Sequence, residues 1–215
     1  MRVELLDHMG DDRSIVNAAR VSFDKESELE FDWNWAPILS EKDERLIHYL
    51  AKHKHWTPFA HTAIKFRVTM PIYVARQLAK HQVGGVVNEV SRRYVSTAPV
   101  LDVPTKWRRA AENVKQGSSD ELVEVDQEHI NQAMEVCLTT YDYLIASGVC
   151  PEQARAVIPI CSETTWIWTG SLVFFARVCK LRLDPHAQKE TRDVAKAISA
   201  LIEPLFPVSW AALMA

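Results

Sequence analysis

The sequence predicts an α+β fold: a small, mostly antiparallel sheet packed with long helices, forming a single domain over residues 1–215 with a helical annex. Three observations carry this. From Thr62 to Met70, Ile64, Phe66, Val68 and Met70 alternate strictly with Lys65, Arg67 and Thr69, the period-two pattern of a half-buried strand. The second half repeats apolar residues at helical spacing, first at Ile130, Met134, Cys137, Leu138, Tyr141 and Leu144, then at Val194, Ile198, Leu201 and Ile202. A length of 215 residues with 47% hydrophobic content suffices to bury a substantial core in one domain.

Taken in order, Arg2 to His8 alternates weakly and reads as an edge strand, and Asp12 to Val21 as a helix ending at Ser22. The acidic, aromatic stretch Asp24 to Trp35 reads as a surface loop. Ser40-Glu41-Lys42-Asp43 is a capping box with Asp in place of Glu, opening a helix whose Leu46, Ile47, Leu50 and Ala51 share a face and which stops near Lys54. Pro71 ends the alternating strand and serves as the first residue of a helix running to about Gln82, where Gly84-Gly85 breaks it. Val86 to Val95 reads as extended, with Glu89, Ser91 and Arg93 on one face and Val90 and Arg92 on the other. Thr105 to Lys115 reads as a short basic helix, Gln116 to Asp120 as a polar linker, and Glu121 to Ser147 as one long amphipathic helix. Pro151 starts a helix bearing Arg155, and Pro159 closes it. Trp166 to Cys179 is too short to span a bilayer and carries Thr169, Gly170, Ser171 and Arg177, so it reads as a central buried helix. Asp184-Pro185 supplies an N-cap and a first-turn proline for the last helix.

Composition narrows the function. A formal charge of −3 gives no global attraction to nucleic acid, so functional cations must cluster locally. Cys137, Cys150, Cys161 and Cys179 form no CxxC pair and read as small core residues in a reducing compartment. The charged start, Met-Arg-Val-Glu-Leu-Leu-Asp-His, lacks the apolar run of a signal peptide, which points to the cytoplasm and away from a membrane. Eight histidines, with His53, His55 and His61 close together, fit no zinc spacing, so no metal is expected.

Most chemistry lies between Arg76 and Tyr94. Helical spacing puts Gln77 and His81 on one stripe and Arg76 and Lys80 on the next, ahead of the polar groups of Asn88 to Arg93. Ser91 lacks a nucleophile elbow, and its neighbours Arg92 and Arg93 favour an anion site over acyl transfer. Gly84-Gly85 follows a helix, whereas a dinucleotide fingerprint follows a strand. Arg155, Arg177 and Arg182 sit in or beside apolar helices, where three arginines suggest an anionic ligand at the edge of the core.

Together, Ala19-Arg20-Val21-Ser22, His55-x-Thr57-Pro58-Phe59, Ala75-Arg76-Gln77, Lys80-His81-Gln82, Asn88-Glu89-x-Ser91-x-Arg93-Tyr94 and Leu181-Arg182-x-Asp184-x-His186-Ala187-Gln188 resemble the flavin-dependent thymidylate synthases, in the family's order. The resemblance implies methylation of dUMP to dTMP with methylenetetrahydrofolate as carbon donor and NADPH as reductant through FAD, in a homotetramer with active sites shared between subunits. It implies that Arg182 is catalytic, contacting the uracil ring and stabilising its developing negative charge, so that no nucleophilic cysteine is needed. Gln77, Lys80, Glu89, Ser91, Arg93, Arg155 and Arg182 match positions that bind dUMP. Lys80, His81, Gln82, Asn88 and Glu89 match flavin contacts, joined by Ser22, His55, Thr57, Ser171 and Arg177.

Four departures mark this chain. Lys80-His81-Gln82 replaces the family's Arg-His-Arg, exchanging two planar forks for an ammonium and a neutral amide. Eight residues rather than seven separate that triplet from Ser91, an excess most easily absorbed at Gly84-Gly85. Ala60 stands where the family often has Glu, and Ser171 and Arg177 stand at positions that are commonly Asn; Arg177 is expected to restore charge lost at Gln82. The alternative reading is a non-catalytic nucleotide- or flavin-binding homologue. Single-stranded nucleic-acid binding through Arg92, Arg93, Lys106, Arg108 and Arg109 is disfavoured by the acidic balance.

Overall fold

A computed structural model describes residues 1–35, 37–112 and 118–215. Strand β1 (Arg2–Met9) is an edge strand, and α1 (Asp12–Arg20) follows behind Asp11, which forms a capping box with Ser14. A 3₁₀ turn (Val21–Phe23) leads to a two-stranded ribbon, β2 (Glu30–Phe31) with β3 (Pro37–Ile38), whose first strand falls in the stretch Asp24 to Trp35 that the sequence reads as a loop. Ser40 caps α2 (Glu41–Lys52) by accepting from the Asp43 amide. The Asp43 carboxylate does not return to the backbone as a capping box would; it accepts from Arg20 and the Ser27 and Ser40 hydroxyls. A short α3 (Thr57–Ala60) precedes β4 (Ala63–Pro71). Pro71 ends that strand and is the N-cap, not the first residue, of α4 (Ile72–Leu78).

The α4 helix is shorter than its sequence suggests. Its last regular bond is Ala79 N–H to the Ala75 carbonyl, after which Lys80 and His81 donate three residues back and Arg182 takes the Gln77 carbonyl. Strand β5 (Gly85–Glu89) then pairs at the far edge of the sheet and ends sooner than expected, because Tyr94 and Val95 fold back onto the Ser91 carbonyl. Strands β6 (Trp107–Ala110) and β7 (Ser118–Val123) form a hairpin where a basic helix, a linker and the start of a long helix were expected; residues 113–117 of those predicted segments lie outside the described residues. Tertiary partners override local propensity here: Trp107 donates to Gln127, and Arg108 donates to Ser118 and Glu190.

Helix α5 (Gln127–Ala146) starts only after Asp126, whose carboxylate caps it. Of its predicted core stripe only Tyr141 is fully buried, while Ile130, Met134, Cys137, Leu138 and Leu144 are partly exposed. Helix α6 (Pro151–Ala154) ends in a 3₁₀ turn holding Arg155. The expected buried helix over Trp166 to Cys179 is instead strand β8 (Glu163–Gly170) followed by α7 (Leu172–Arg182), capped by Ser171. Thr164, Trp166, Trp168 and Gly170 alternate inward, a period-two pattern hidden within an apolar run. Asp184 caps no helix: its carboxylate accepts from the His186 amide in a turn, and α8 (Lys189–Ile202) begins five residues later. A last helix, α9 (Pro207–Met214), has no counterpart in the sequence reading. Asp12, at the start of α1, accepts from the Val208 and Ser209 amides at 2.9 Å each and so caps it from across the fold.

The antiparallel sheet has the order β1-β4-β8-β5. One face packs Phe66, Trp168, Phe174 and Phe175 edge to face with α7. Strand β5 therefore starts against Phe174 of α7, and the Arg76 to Tyr94 segment comes beside Arg155 and Arg182 but not Arg177.

Candidate active site

Three concave regions collect the polar groups. The first, of about 470 Å³, lies between α4, β5 and the α6 turn, and is lined by Arg76, Glu89, Ser91, Arg92 and Arg155. Here Glu89 accepts from the Thr164 hydroxyl at 2.6 Å, and Arg155, which lines the cavity, donates through Nε to the Glu152 carbonyl at 3.1 Å. Arg93 does not line this space; it pairs with Glu152 at 3.0 Å and stacks over Tyr94.

The second, of about 580 Å³, is lined by Gln77, Lys80, Arg108, Arg182, His186 and Gln188. The half-buried Arg182 donates through Nε to His81 Nε2 at 3.0 Å and through Nη2 to the Gln77 carbonyl at 2.7 Å. His81 must therefore carry its proton on Nδ1. Burial first, and then the neighbouring Arg182, hold the imidazole below its ordinary pKa, so it is a neutral acceptor that orients the cation. Arg76 lines both of these cavities.

The third, of about 730 Å³, lies between α2, α3, α7 and α9, and holds Lys52, Lys54, His55, Trp56, Arg177 and Lys180. Among the described residues Lys52, Lys54 and Arg177 have no carboxylate partner. Unpaired cations beside a half-exposed indole suit an anionic diphosphate attached to a planar ring.

Other predicted contacts lie apart from these cavities. Ser22 is exposed on the 3₁₀ turn, Thr57 is exposed at the start of α3, and Gln82 and Asn88 are exposed on either side of the glycine pair. Ser171 accepts from the Phe174 amide as a helix cap, so its hydroxyl already has a structural task. None of the four cysteines lines the three cavities; burial pushes the Cys179 thiol up to about 12 and also raises that of Cys161.

The sequence profile of the family described as "Thymidylate synthase complementing protein" matches residues 4–208. A flavin-dependent thymidylate synthase of Thermus thermophilus is 36% identical over 213 residues, covering 98% of this chain and 74% of the relative. That of Kosmotoga olearia is 33% identical, covering 99% and 89%. This chain belongs to the flavin-dependent thymidylate synthase family. Among solved structures, the UMP/dUMP methylase PolB from Streptomyces cacaoi, bound with 5-Br dUMP, is similar with a TM-score of 0.81 at 28% identity, covering 98% of this chain and 93% of that one.

Within this family member, Arg76, Arg92, Arg108, Gln188, Lys52, Lys54 and Lys180 also line the cavities, although none is among the dUMP or flavin contacts expected from sequence. Arg76 had a signal, its helical spacing from Lys80. Arg108 is visible in the sequence only within a basic run with Lys106 and Arg109, which is weighed for nucleic-acid contact and not for this site.

Proposed function

We propose that this chain is an FAD-dependent thymidylate synthase that methylates dUMP to dTMP, taking carbon from methylenetetrahydrofolate and reducing equivalents from NADPH. In this reading it works in the cytoplasm as a homotetramer whose active sites draw on more than one subunit. The observation that carries the reading is a fixed cation in a cysteine-free cavity: Arg182, held by His81 and the Gln77 carbonyl, in a chain of this family. Membership supports FAD as cofactor, and the cation-lined third cavity fits it.

Each residue then has a defined task. Arg182 presents its remaining N–H groups to the uracil ring and stabilises negative charge as the ring is activated, with its direction already set before substrate arrives. Gln77 and Lys80 line the same space, while Ser91 and Arg155, with Glu89 beside them, offer the donors a nucleotide phosphate needs. Arg93, Asn88, Gln82, Ser22 and Thr57 complete the nucleotide and flavin contacts from exposed positions available to a neighbouring subunit. His55 and Arg177 hold the flavin diphosphate with Lys52 and Lys54, and Arg177 supplies charge missing at Gln82. When bound, the flavin supplies the hydride chemistry. Assembly is supported by the α5 stripe, which a single chain leaves half covered.

Purified protein should be yellow and should release tritium from 5-tritiated dUMP only when NADPH and methylenetetrahydrofolate are both present. Yellow protein that binds dUMP but never releases tritium would favour the non-catalytic homologue.

A further inference from the structure

Arg108 and Glu190 pair at 2.8 Å with side chains only 19% and 18% exposed, and Arg108 also donates to Ser118 at 2.7 Å. Burial pushes the Glu190 carboxyl up, but its own backbone amide, Gln188 and Arg108 together outweigh burial and keep it ionised. An ionised carboxylate only accepts. Gln188 must therefore turn its NH₂ to Glu190, at 2.9 Å, which turns its Oε1 to Gln77. Gln77 must donate its own NH₂ to that oxygen, and its Oε1 accepts from the fully buried Thr191 hydroxyl at 3.1 Å. One N–H of the Gln77 amide then has no acceptor among the described residues, in the cavity that Arg182 lines.

We infer that the Arg108–Glu190–Gln188 relay fixes the orientation of the Gln77 amide, making Gln77 a donor to a pyrimidine carbonyl and selecting uracil over cytosine. The inference rests on reading this cavity as the pyrimidine site. Uracil offers a carbonyl acceptor at the position where cytosine carries an amino donor, so a fixed N–H accepts one base and opposes the other. Arg108 and Glu190 do not touch the base; they are positioning residues acting through two amides.

The test is equilibrium binding of dUMP and dCMP to the flavin-loaded protein and to its Glu190→Gln, Arg108→Met and Arg108→Lys variants. Glu190→Gln keeps the shape but puts a group that both donates and accepts in place of the acceptor-only anchor. It should lower the dUMP-to-dCMP affinity ratio by about tenfold or more. Arg108→Met should do likewise, and Arg108→Lys, which keeps the cation, should retain most of the wild-type ratio. A ratio unchanged in both Glu190→Gln and Arg108→Met, with wild type still binding dUMP, overturns the relay and leaves the site reading intact. Wild-type protein that does not bind dUMP overturns the site reading and the relay with it.

Discussion

Gly85→Ala is expected to destabilise the protein by overpacking rather than by backbone strain. Gly85 and Gly170 face each other across β5 and β8, and the ring of Phe174 lies over both. A Cβ at Gly85 would sit 2.4 Å from Phe174 Cζ and 2.7 Å from Cε1 and Cε2. The ring has no retreat, since it is 2% exposed and packs edge to face on Trp168 and Phe175 with centroids 5.6 and 5.0 Å away. Such overpacking costs about 1–3 kcal/mol. For a protein of this size, that lowers Tm by about 2–12 °C. Gly84 differs in kind: its φ of +91° needs glycine, while a Cβ there would meet Phe174 at an ordinary 3.7 Å. Gly84→Ala should therefore cost about 1–2 kcal/mol through strain alone. Urea unfolding separates the two. Combining Phe174→Leu with Gly85→Ala should cost less than the sum of the single changes, whereas with Gly84→Ala the costs should add. A Gly85→Ala protein within about 0.5 kcal/mol of wild type, or additive with Phe174→Leu, would refute the argument.

Other expectations follow from the same geometry. Asp43→Ala strands the mostly buried Arg20 guanidinium and should cost about 3–5 kcal/mol at pH 7 in urea unfolding. Burial raises the Asp43 carboxyl, but hydrogen bonds from Arg20, Ser40 and Ser27 outweigh this and hold it below 3.8. Its contribution is therefore complete above that value and lost as pH falls through the lower folded one, so the gap between wild type and variant should close in acid. His81 is held below 6.5 by burial and then Arg182, so dUMP affinity should hold above pH 6.5 and decline as pH falls through the lowered value. In His81→Asn that acid limb should disappear from the pH profile of dUMP binding. Arg177→Ala should weaken FAD binding by about tenfold in a flavin titration, and unchanged affinity would remove its compensating role.

The parts of the fold legible in the sequence are those whose signal is local. The strict alternation of β4, the Ser40 cap and the spacing in α8 each declare themselves within a dozen residues. Strand β8 is not legible because its outward positions are Thr165, Ile167 and Thr169 beside indoles, so the alternation is buried in a run that also suits a helix. The β6–β7 hairpin depends on Arg108 meeting Glu190, 82 residues away, and α9 depends on Asp12 reaching Ser209, 197 residues away. Distance in sequence hides both. The Arg182–His81–Gln77 cluster belongs to the same class: the residue types are visible, but the direction of each hydrogen bond is not.

In the proposed function, the residues assigned to the nucleotide are divided between two cavities, Ser91 and Arg155 in one and Gln77 and Arg182 in the other, to be joined between subunits. The direct measurement mixes an Arg182→Met variant with an Arg155→Met variant, each inactive alone, after reversible dissociation and reassembly. Sites built from two chains should recover about a quarter of wild-type tritium release, the fraction in which both halves come from intact partners. Mixtures that stay as inactive as the separate variants would contradict the account and assign each site to a single chain.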